Sequence, residues 1–538
     1  MKRNLYLLAL LALLLAAAGC GNGSESSSPA PAAPVDGPIT LTLFDKNVGD
    51  PFTNPVSVEI TKRTGIFIEI QQPTGNPDEK LSLMLASGDL PDIVLMDRRE
   101  ATLNKYITSG ALIPLNDLMR EHAPNILEQY EDILAKSVFE DGKNYYFNNW
   151  YGLDPDPNWS VGIRMDLLEE FGYGSRAQAG DAFTQDEFVD VLRKFKDKYP
   201  GGSANPALPL TADASYMPSL IGTFKSMYGM KNYYEHDGRI EFDVRDPRYL
   251  EMLKFINGLL NDGLLDPEWG INNGQMCTEK EVAGRVAAHL GSVGDANSTF
   301  LEDYGEDTNR LFYSFIITAP GVSREETTYG PRSSLGWDGI GITAVNKYPV
   351  ETIKFLDFLA SEEGQYLLMW GVEGQNWTLV DGIHTPTQEA LESRNKDWAA
   401  FSLETGARKW TWMIKNGYGA DGTPHDFMFR YERNKVDTHA LTSMAGTVWD
   451  TALYDDIGPT AGTPEALSEQ KVRDIIDAGF ASIVNAKPED VERLYGAMIA
   501  DMDATNNAKT VEDIFTQRYA AKVALYNQAT GSYGAGGN

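Results

Sequence analysis

Residues 39–43 read Ile-Thr-Leu-Thr-Leu, residues 66–70 read Ile-Phe-Ile-Glu-Ile, and residues 79–94 read EKLSLMLASGDLPDIV. In the first stretch, and at Ile66, Ile68 and Ile70 of the second, apolar side chains recur at every other position, the period of a strand with unlike faces. The first strand ends near Asp45, and a Pro-containing helical stretch then stops at Thr64-Gly65. Residues 79–87 form a helix with Gly88 as its C-cap. Pro91 bars its continuation, and residues 92–96 read as a short buried strand. The order strand, helix, strand, helix, strand implies right-handed crossovers onto a mostly parallel sheet, with ligands bound outside the carboxyl ends of its strands. Asn47 and Asp97 fall at those ends, where either ligand binding or ordinary turn chemistry accounts for them.

Beyond this unit, the loop at residues 150–159 contains Asp154-Pro155-Asp156-Pro157-Asn158, which breaks any regular element and marks a crossing into a second unit. That unit opens with a strand at 161–164 and a helix at 166–171. Thr184 and Glu187 form a capping box for a helix running through Tyr199. A further strand at 339–344 precedes an amphipathic helix through Phe355, Phe358 and Leu359. The last third is mostly helical, and no internal repeat is evident. A chain of 538 residues exceeds what one core serves, so two α/β lobes are expected. With 42% hydrophobic and 23% charged residues, the composition is that of a folded globular protein.

At the start, Lys2 and Arg3 precede an apolar run of about 14 residues, short for a membrane span, that ends in Ala17, Ala18, Gly19 and Cys20. This is an export signal over residues 1–19 with a lipobox-like end, departing from the usual Leu at Ala17. The alternative is an ordinary cleaved signal with an incidental Cys. Residues 21–38 are rich in Gly, Ser, Pro and Ala, so segment 20–38 reads as a flexible tether from a lipidated Cys20. After Cys20 only Cys277 remains, which excludes an intramolecular disulfide or a Cys-based metal site and leaves Cys277 as a buried bystander. A net charge of −31 opposes binding to nucleic acid or an anionic membrane face, so anchoring must come from the lipid.

Several segments together carry a resemblance: residues 79–94 above, 161–173 (VGIRMDLLEEFGY), 183–196 (FTQDEFVDVLRKFK), 263–269 (GLLDPEW), and 340–374 with FLDFLASEEGQYLLMWGVEG. The chain resembles the extracellular solute-binding protein family that serves ABC sugar importers, especially its large lipoprotein branch. The resemblance implies two α/β lobes, residues 39–153 with 338–405 and residues 154–337 with 406–538, that close on a sugar or oligosaccharide. It further implies a monomer that hands its ligand to membrane permeases from the outer face of the cell membrane. No G-x-x-x-x-G-K-[ST] loop is present, so the ATPase belongs to another subunit.

A sugar presents apolar C–H faces and a rim of hydroxyls, so its site needs flat aromatics beside fixed polar groups. Trp150, Tyr151 and Trp159 lie in a polar loop with no periodic apolar neighbours to explain them as core. Trp337 and Asp338 precede the 339–344 strand, where the resemblance places a return crossing between lobes. Arg164 matches an Arg the family often carries after its hinge strand, with a structural ion pair as the equal alternative. Trp377 is a reserve candidate. Trp370, on an apolar helix, reads as core. Trp269 reads as structural, and Trp410, Trp412 and Trp449 are not ranked.

No cofactor or metal is expected. Asp501, Asp503, Thr505 and Glu512 match calcium-loop spacing, but Asn506 stands where the turn needs Gly. Residues 172–184, where some alginate-binding relatives carry a calcium loop, lack the acidic oxygens. The rival function is a surface glycoside hydrolase or lyase, which would need paired carboxylates in an aromatic cleft. No G-x-S-x-G, H-E-x-x-H or Cys/His nucleophile arrangement supports catalysis, so no enzyme is expected. A surface sensor or adhesion lipoprotein is the third reading, and peptides or other solutes fit the same architecture.

Overall fold

Strand β1 (Ile39–Asp45) buries Leu41, Leu43 and Phe44 and leads into α1 (Pro55–Thr64) and β2 (Ile66–Gln71). These belong to a computed structural model that describes residues 37–72, 75–153, 159–291, 294–305, 308–426, 434–505 and 507–533. The signal at 1–19, Cys20, the tether up to residue 36, the loop 154–158 and Asn506 lie outside the described residues.

Helix α2 (Pro77–Ser87) begins two residues before the expected start. The Asn76 side chain accepts the N–H groups of Asp78 and Glu79, and Pro77 supplies a helical φ in advance. The helix ends at Gly88, whose φ of 74° lies in the left-handed region that costs a side-chain-bearing residue about 1–2 kcal/mol. Strand β3 (Ile93–Asp97), α3 (Ala101–Thr108), α4 (Pro124–Lys136) and β4 (Phe147–Asn149) follow.

After the first crossing come β5 (Val161–Arg164), α5 (Gln185–Lys198) behind its Thr184/Glu187 capping box, β6 (Leu210–Ala212), α6 (Met217–Met227), β7 (Ala288–Leu290) and β8 (Phe312–Phe315). The chain returns through β9 (Gly330–Arg332) to β10 (Asp338–Ile342), α7 (Pro349–Ala360) and α8 (Glu362–Trp370). It ends with β11 (Val448–Asp450) and the long helices α9 (Val491–Thr505) and α10 (Ala508–Tyr533).

The two largest sheets among the described residues have the orders β2-β1-β3-β10-β4 and β8-β5-β7-β6. In each, all strands but one run the same way, so the expected mostly parallel sheets carry a single reversed strand apiece. β1 runs parallel to β2 and β3, but β10 is antiparallel to both β3 and β4. β5 is antiparallel to β7 and β8, while β7 and β6 are parallel. The reversed strands β5 and β10 are those that follow a crossing. A strand entering from the other lobe starts at the facing edge and runs away from it, against strands that arrive by helical crossovers.

Each sheet has its own apolar core. The first joins Leu41, Ile93, Ile340 and Trp370. The second joins Val161, Leu210, Phe312, Phe480 and Phe515, so the C-terminal helices cover the second lobe. Ala407, Trp410, Trp412 and Ile414 pack in the first core, so the expected return to lobe 2 at residue 406 falls too early. The indoles hold this segment: Trp410 donates to Asn54 (3.2 Å) and Trp412 to Asp45 (2.7 Å), both in lobe 1.

The connections between lobes run side by side. β9 pairs in parallel with β11, and Ser334 donates its backbone and hydroxyl hydrogens to Asp450. Lys136 of α4 lies 2.9 Å from the same carboxylate, and Tyr526 of α10 donates to Asp132 of α4 at 2.9 Å. Helix α10 thus bridges both lobes beside the crossings. No helix among the described residues is long and apolar enough to cross a membrane.

Cys277 is buried, and burial pushes its thiol up to about 12. In a protein beginning at residue 21 it is the sole thiol, and it should stay unlabelled by a chromogenic disulfide reagent at pH 8 until urea unfolds lobe 2. Rapid stoichiometric labelling of the folded protein would contradict this burial.

Candidate ligand cleft between the lobes

The carboxyl ends of β1 and β3 meet the start of β10 at one edge, because β10 runs against them. This brings Lys46, Asn47, Asp97 and Asp338 together. Lys46 lies 2.8 Å from Asp338 Oδ1 and 3.9 Å from Asp97, and the Asn47 amide donates to Asp338 Oδ2 at 2.9 Å. Burial raises the Asp338 carboxyl above its ordinary range despite Lys46 and Asn47. Burial acts the same way on Asp97, but two hydrogen bonds from the Arg99 guanidinium, at 2.9 and 2.6 Å, outweigh it and the net shift is downward. Asp338 therefore positions Lys46 and Asn47, while Asn47 and Asp97 stand at the rim.

Just before β10, Trp337 leaves 48% of its surface exposed and stacks on Trp150, with ring centroids 6.3 Å apart and planes inclined by 23°. The Arg408 guanidinium lies 5.0 Å from the Trp150 ring and 5.4 Å from Trp398, extending the column. Trp150 has a φ of 47°, a left-handed conformation costing a non-glycine residue about 1–2 kcal/mol. Its indole N–H, donated to Asn416 at 2.7 Å, holds the ring in place.

On the other side of the crossing, Trp159 lines a cavity of about 640 Å³ with Lys225, Lys231, Trp449 and Tyr454, while Arg99 enters from lobe 1. Lys231 sits 5.4 Å from the Trp449 ring and 5.6 Å from Tyr454. Trp159 rests on α6 at Gly222, where a Cβ would fall 2.5 Å from the ring. Gly222→Ala gains helix propensity yet must push the indole into the cavity, at an overpacking cost of roughly 1–3 kcal/mol. Ligand affinity should fall about tenfold with the far-UV spectrum unchanged. Unaltered affinity, measured by calorimetry, would remove Trp159 from the site.

The structure thus gathers Asn47, Asp97, Trp150, Trp337 and Asp338 at the lobe-1 edge, and Trp159 against lobe 2. It removes three other candidates. Tyr151 is only 1% exposed and stacks on Tyr130 at 3.5 Å in the lobe-1 core, because its backbone hydrogen bonds to Ile414 and Asn416 turn it inward. Arg164 forms two hydrogen bonds to Asp166, the structural alternative, since β5 starts at the crossing and carries Arg164 to the far edge. Trp377 is 8% exposed, donates to Gly371 at 2.8 Å and lines a separate cavity of about 650 Å³ with Tyr366 and His384.

Sequence reasoning leaves Trp449 unranked and does not single out Tyr454, although both occupy a polar stretch like that around Trp159. Trp370 and Trp269 are buried, as read from sequence. The run matching calcium-loop spacing is helical at Asp501 and Asp503, and Asp503 and Glu512 accept hydrogen bonds from Arg245.

Two α/β lobes joined by paired crossings, with aromatic and charged groups on the edge between them, define a protein that takes up a ligand between its lobes. The profile of the bacterial extracellular solute-binding proteins matches residues 45–366, and the chain belongs to that family. It is 23% identical over 363 residues to lipoprotein LipO of Bacillus subtilis, covering 64% of this chain and 67% of LipO. It is 26% identical over 236 residues to the fructooligosaccharide ABC transporter substrate-binding protein FusA of Streptococcus pneumoniae, covering 41% of this chain and 43% of FusA, less than half of that relative. Among solved structures, an HMO-binding, ABC-transporter-associated solute-binding protein from Bifidobacterium longum infantis superposes with a TM-score of 0.63 at 16% identity, over 90% of this chain and 99% of that one. FusA in complex with kestose gives 0.53 at 18% identity, over 93% and 100%. At these identities the likeness to solved structures concerns the fold.

Proposed function

We propose that this protein captures an oligosaccharide between its lobes and delivers it to the permeases of an ABC importer, as a monomer held at the outer face of the cell membrane by a lipid on Cys20. The observation that carries the reading is the exposed aromatic surface at the lobe edges. Trp337 on its Trp150 support, and Trp159 with Trp449 and Tyr454, offer flat apolar faces to sugar C–H groups. Asn47, Asp97 and Lys231 are the rim groups for hydroxyls, and Asp338 positions the first of these. The naming of FusA and of the Bifidobacterium protein as oligosaccharide and HMO binders supports a saccharide ligand, and the naming of LipO as a lipoprotein supports the anchor.

A ligand touching both lobes favours the closed arrangement only by contacts it makes there and not in the open one. Trp337 belongs to the lobe-1 edge and Trp159 to lobe 2, so one saccharide spanning both supplies that difference. Residues 21–538 should show a higher melting temperature with one saccharide class, since ligand at a hundred times Kd stabilises by about 2.7 kcal/mol. Small-angle scattering should show compaction with the same ligand, and chromatography should return it unchanged. Turnover, or stabilisation by peptides and by no saccharide, would overturn the reading.

A further inference from the structure

A second cavity, also of about 640 Å³, lies between α3, the segment after α4, residues 456–461 and α10. It shares Arg99 and Asp456 with the cavity that Trp159 lines, so the two volumes meet at that pair. Their charge differs. The Trp159 cavity balances four cations against four carboxylates, and Lys225 is consumed by Asp243 at 2.8 Å. The second cavity sets Arg98, Arg99, Lys105, Lys136, Arg518 and Lys522 against only Glu140 and Asp456.

Three of these six are neutralised: Arg98 by Asp455, Arg99 by Asp97 and Lys136 by Asp450. The others meet only neutral oxygens or none. Lys522 donates to the Asp455 carbonyl, and Arg518 to the Gly458 carbonyl and the Thr460 hydroxyl. Among the described residues, neither these two nor Lys105, on the open side of α3, has a carboxylate within the 4.0 Å of an ion pair. In a chain of 77 acidic and 46 basic residues, three unneutralised cations around one cavity are the reverse of the average surface. Burial also pulls the Lys522 ammonium below its usual range, although the more distant Asp456 and Asp455 carboxylates act the other way.

We infer that this chamber accepts the negatively charged end of the ligand, so that the transported saccharide carries a carboxylate or phosphate group lodged among Lys105, Arg518 and Lys522. The inference rests on the saccharide reading and narrows it. The uncharged part of the chain lies on the aromatic faces around Trp159, and the anionic unit passes the Arg99–Asp456 pair into the chamber. Cations that already face neutral oxygens keep those bonds and gain the charge-assisted ones they lack.

The test is calorimetry on residues 21–538 with oligosaccharides matched in length: a neutral series, its uronate-terminated counterpart and its phosphate-terminated counterpart. At least one anionic series should bind about tenfold or more tighter than the neutral one, with the advantage falling as salt rises. Lys522→Met should abolish the advantage and leave neutral binding unchanged. Lys105→Glu, a surface change that does not threaten folding, should do the same. Which anion gains identifies the group. Equal or better binding of the neutral series, or an anionic preference that survives both substitutions, overturns the inference while the saccharide reading stands. Absence of binding in all three series defeats that reading, and this inference with it.

Discussion

Trp159→Ala should weaken saccharide binding by about 2 kcal/mol or more, roughly thirtyfold, because buried aromatic anchors carry most of the free energy in such sites. The indole lies with one side on Gly222 and another on the cavity. Ala at 159 leaves α6 without its cover and the ligand without a flat face. The melting temperature without ligand should change far less than the ligand-induced shift, since Trp159 is only partly buried and faces the cavity. Trp337→Ala provides the comparison: 48% exposed and supported by Trp150, it should cost affinity with almost no loss of stability. Calorimetry beside thermal melts of both variants separates the outcomes. Full affinity in both would place the ligand elsewhere.

Arg245→Ala should have the largest effect on folding. The Arg245 guanidinium bonds Glu512 of α10 at 2.5 Å and Asp503 of α9 at 2.6 Å, and the Glu512 side chain is 1% exposed. Removing one partner of a buried pair leaves an uncompensated charge and costs about 3–5 kcal/mol. Burial already raises the Glu512 carboxyl above its ordinary value with Arg245 in place, and without Arg245 it rises further. A carboxyl whose folded pKa is raised holds more protons folded than unfolded, so stability falls as pH climbs through that folded pKa. The deficit should therefore be largest near neutral pH and shrink as pH is lowered toward the ordinary carboxylate range. Glu512→Gln in the same background should recover much of it, a coupling that urea melts of the double-mutant cycle would measure. A deficit independent of pH would assign the loss to packing.

Much of the lobe-1 architecture was legible in particular residues. The alternation at 39–43 and at Ile66, Ile68 and Ile70, together with Gly88 and Pro91, located β1, β2 and the end of α2 because period and backbone restriction are properties of the chain itself. The capping box at Thr184 and Glu187 was legible for the same reason. Strand direction was not. The reversal of β5 and β10 follows from where the chain re-enters a lobe, which no local pattern records.

The candidate site divides along the same line. Trp150 and Trp159 stood out as large aromatics without apolar periodicity, Trp337 through the crossing that the resemblance implied, and each ends at a lobe edge. Tyr151, one residue from Trp150, shares its surroundings in sequence but not in space, since hydrogen bonding to the 414–416 segment turns it into the core. Arg164 failed because its strand runs away from the crossing. The cations of the second chamber were invisible as a group, for Arg99 and Lys105 lie hundreds of residues before Arg518 and Lys522 and meet them only when α10 is laid against lobe 1. Residue types and their short-range spacing thus set the elements and the aromatic character of the lobe edges, whose physics is local, and chain length set the expectation of two lobes. Strand polarity, the placement of 407–414 in lobe 1 and the charge of each cavity arose from long-range packing, where chain direction and burial decide which side chains share one space.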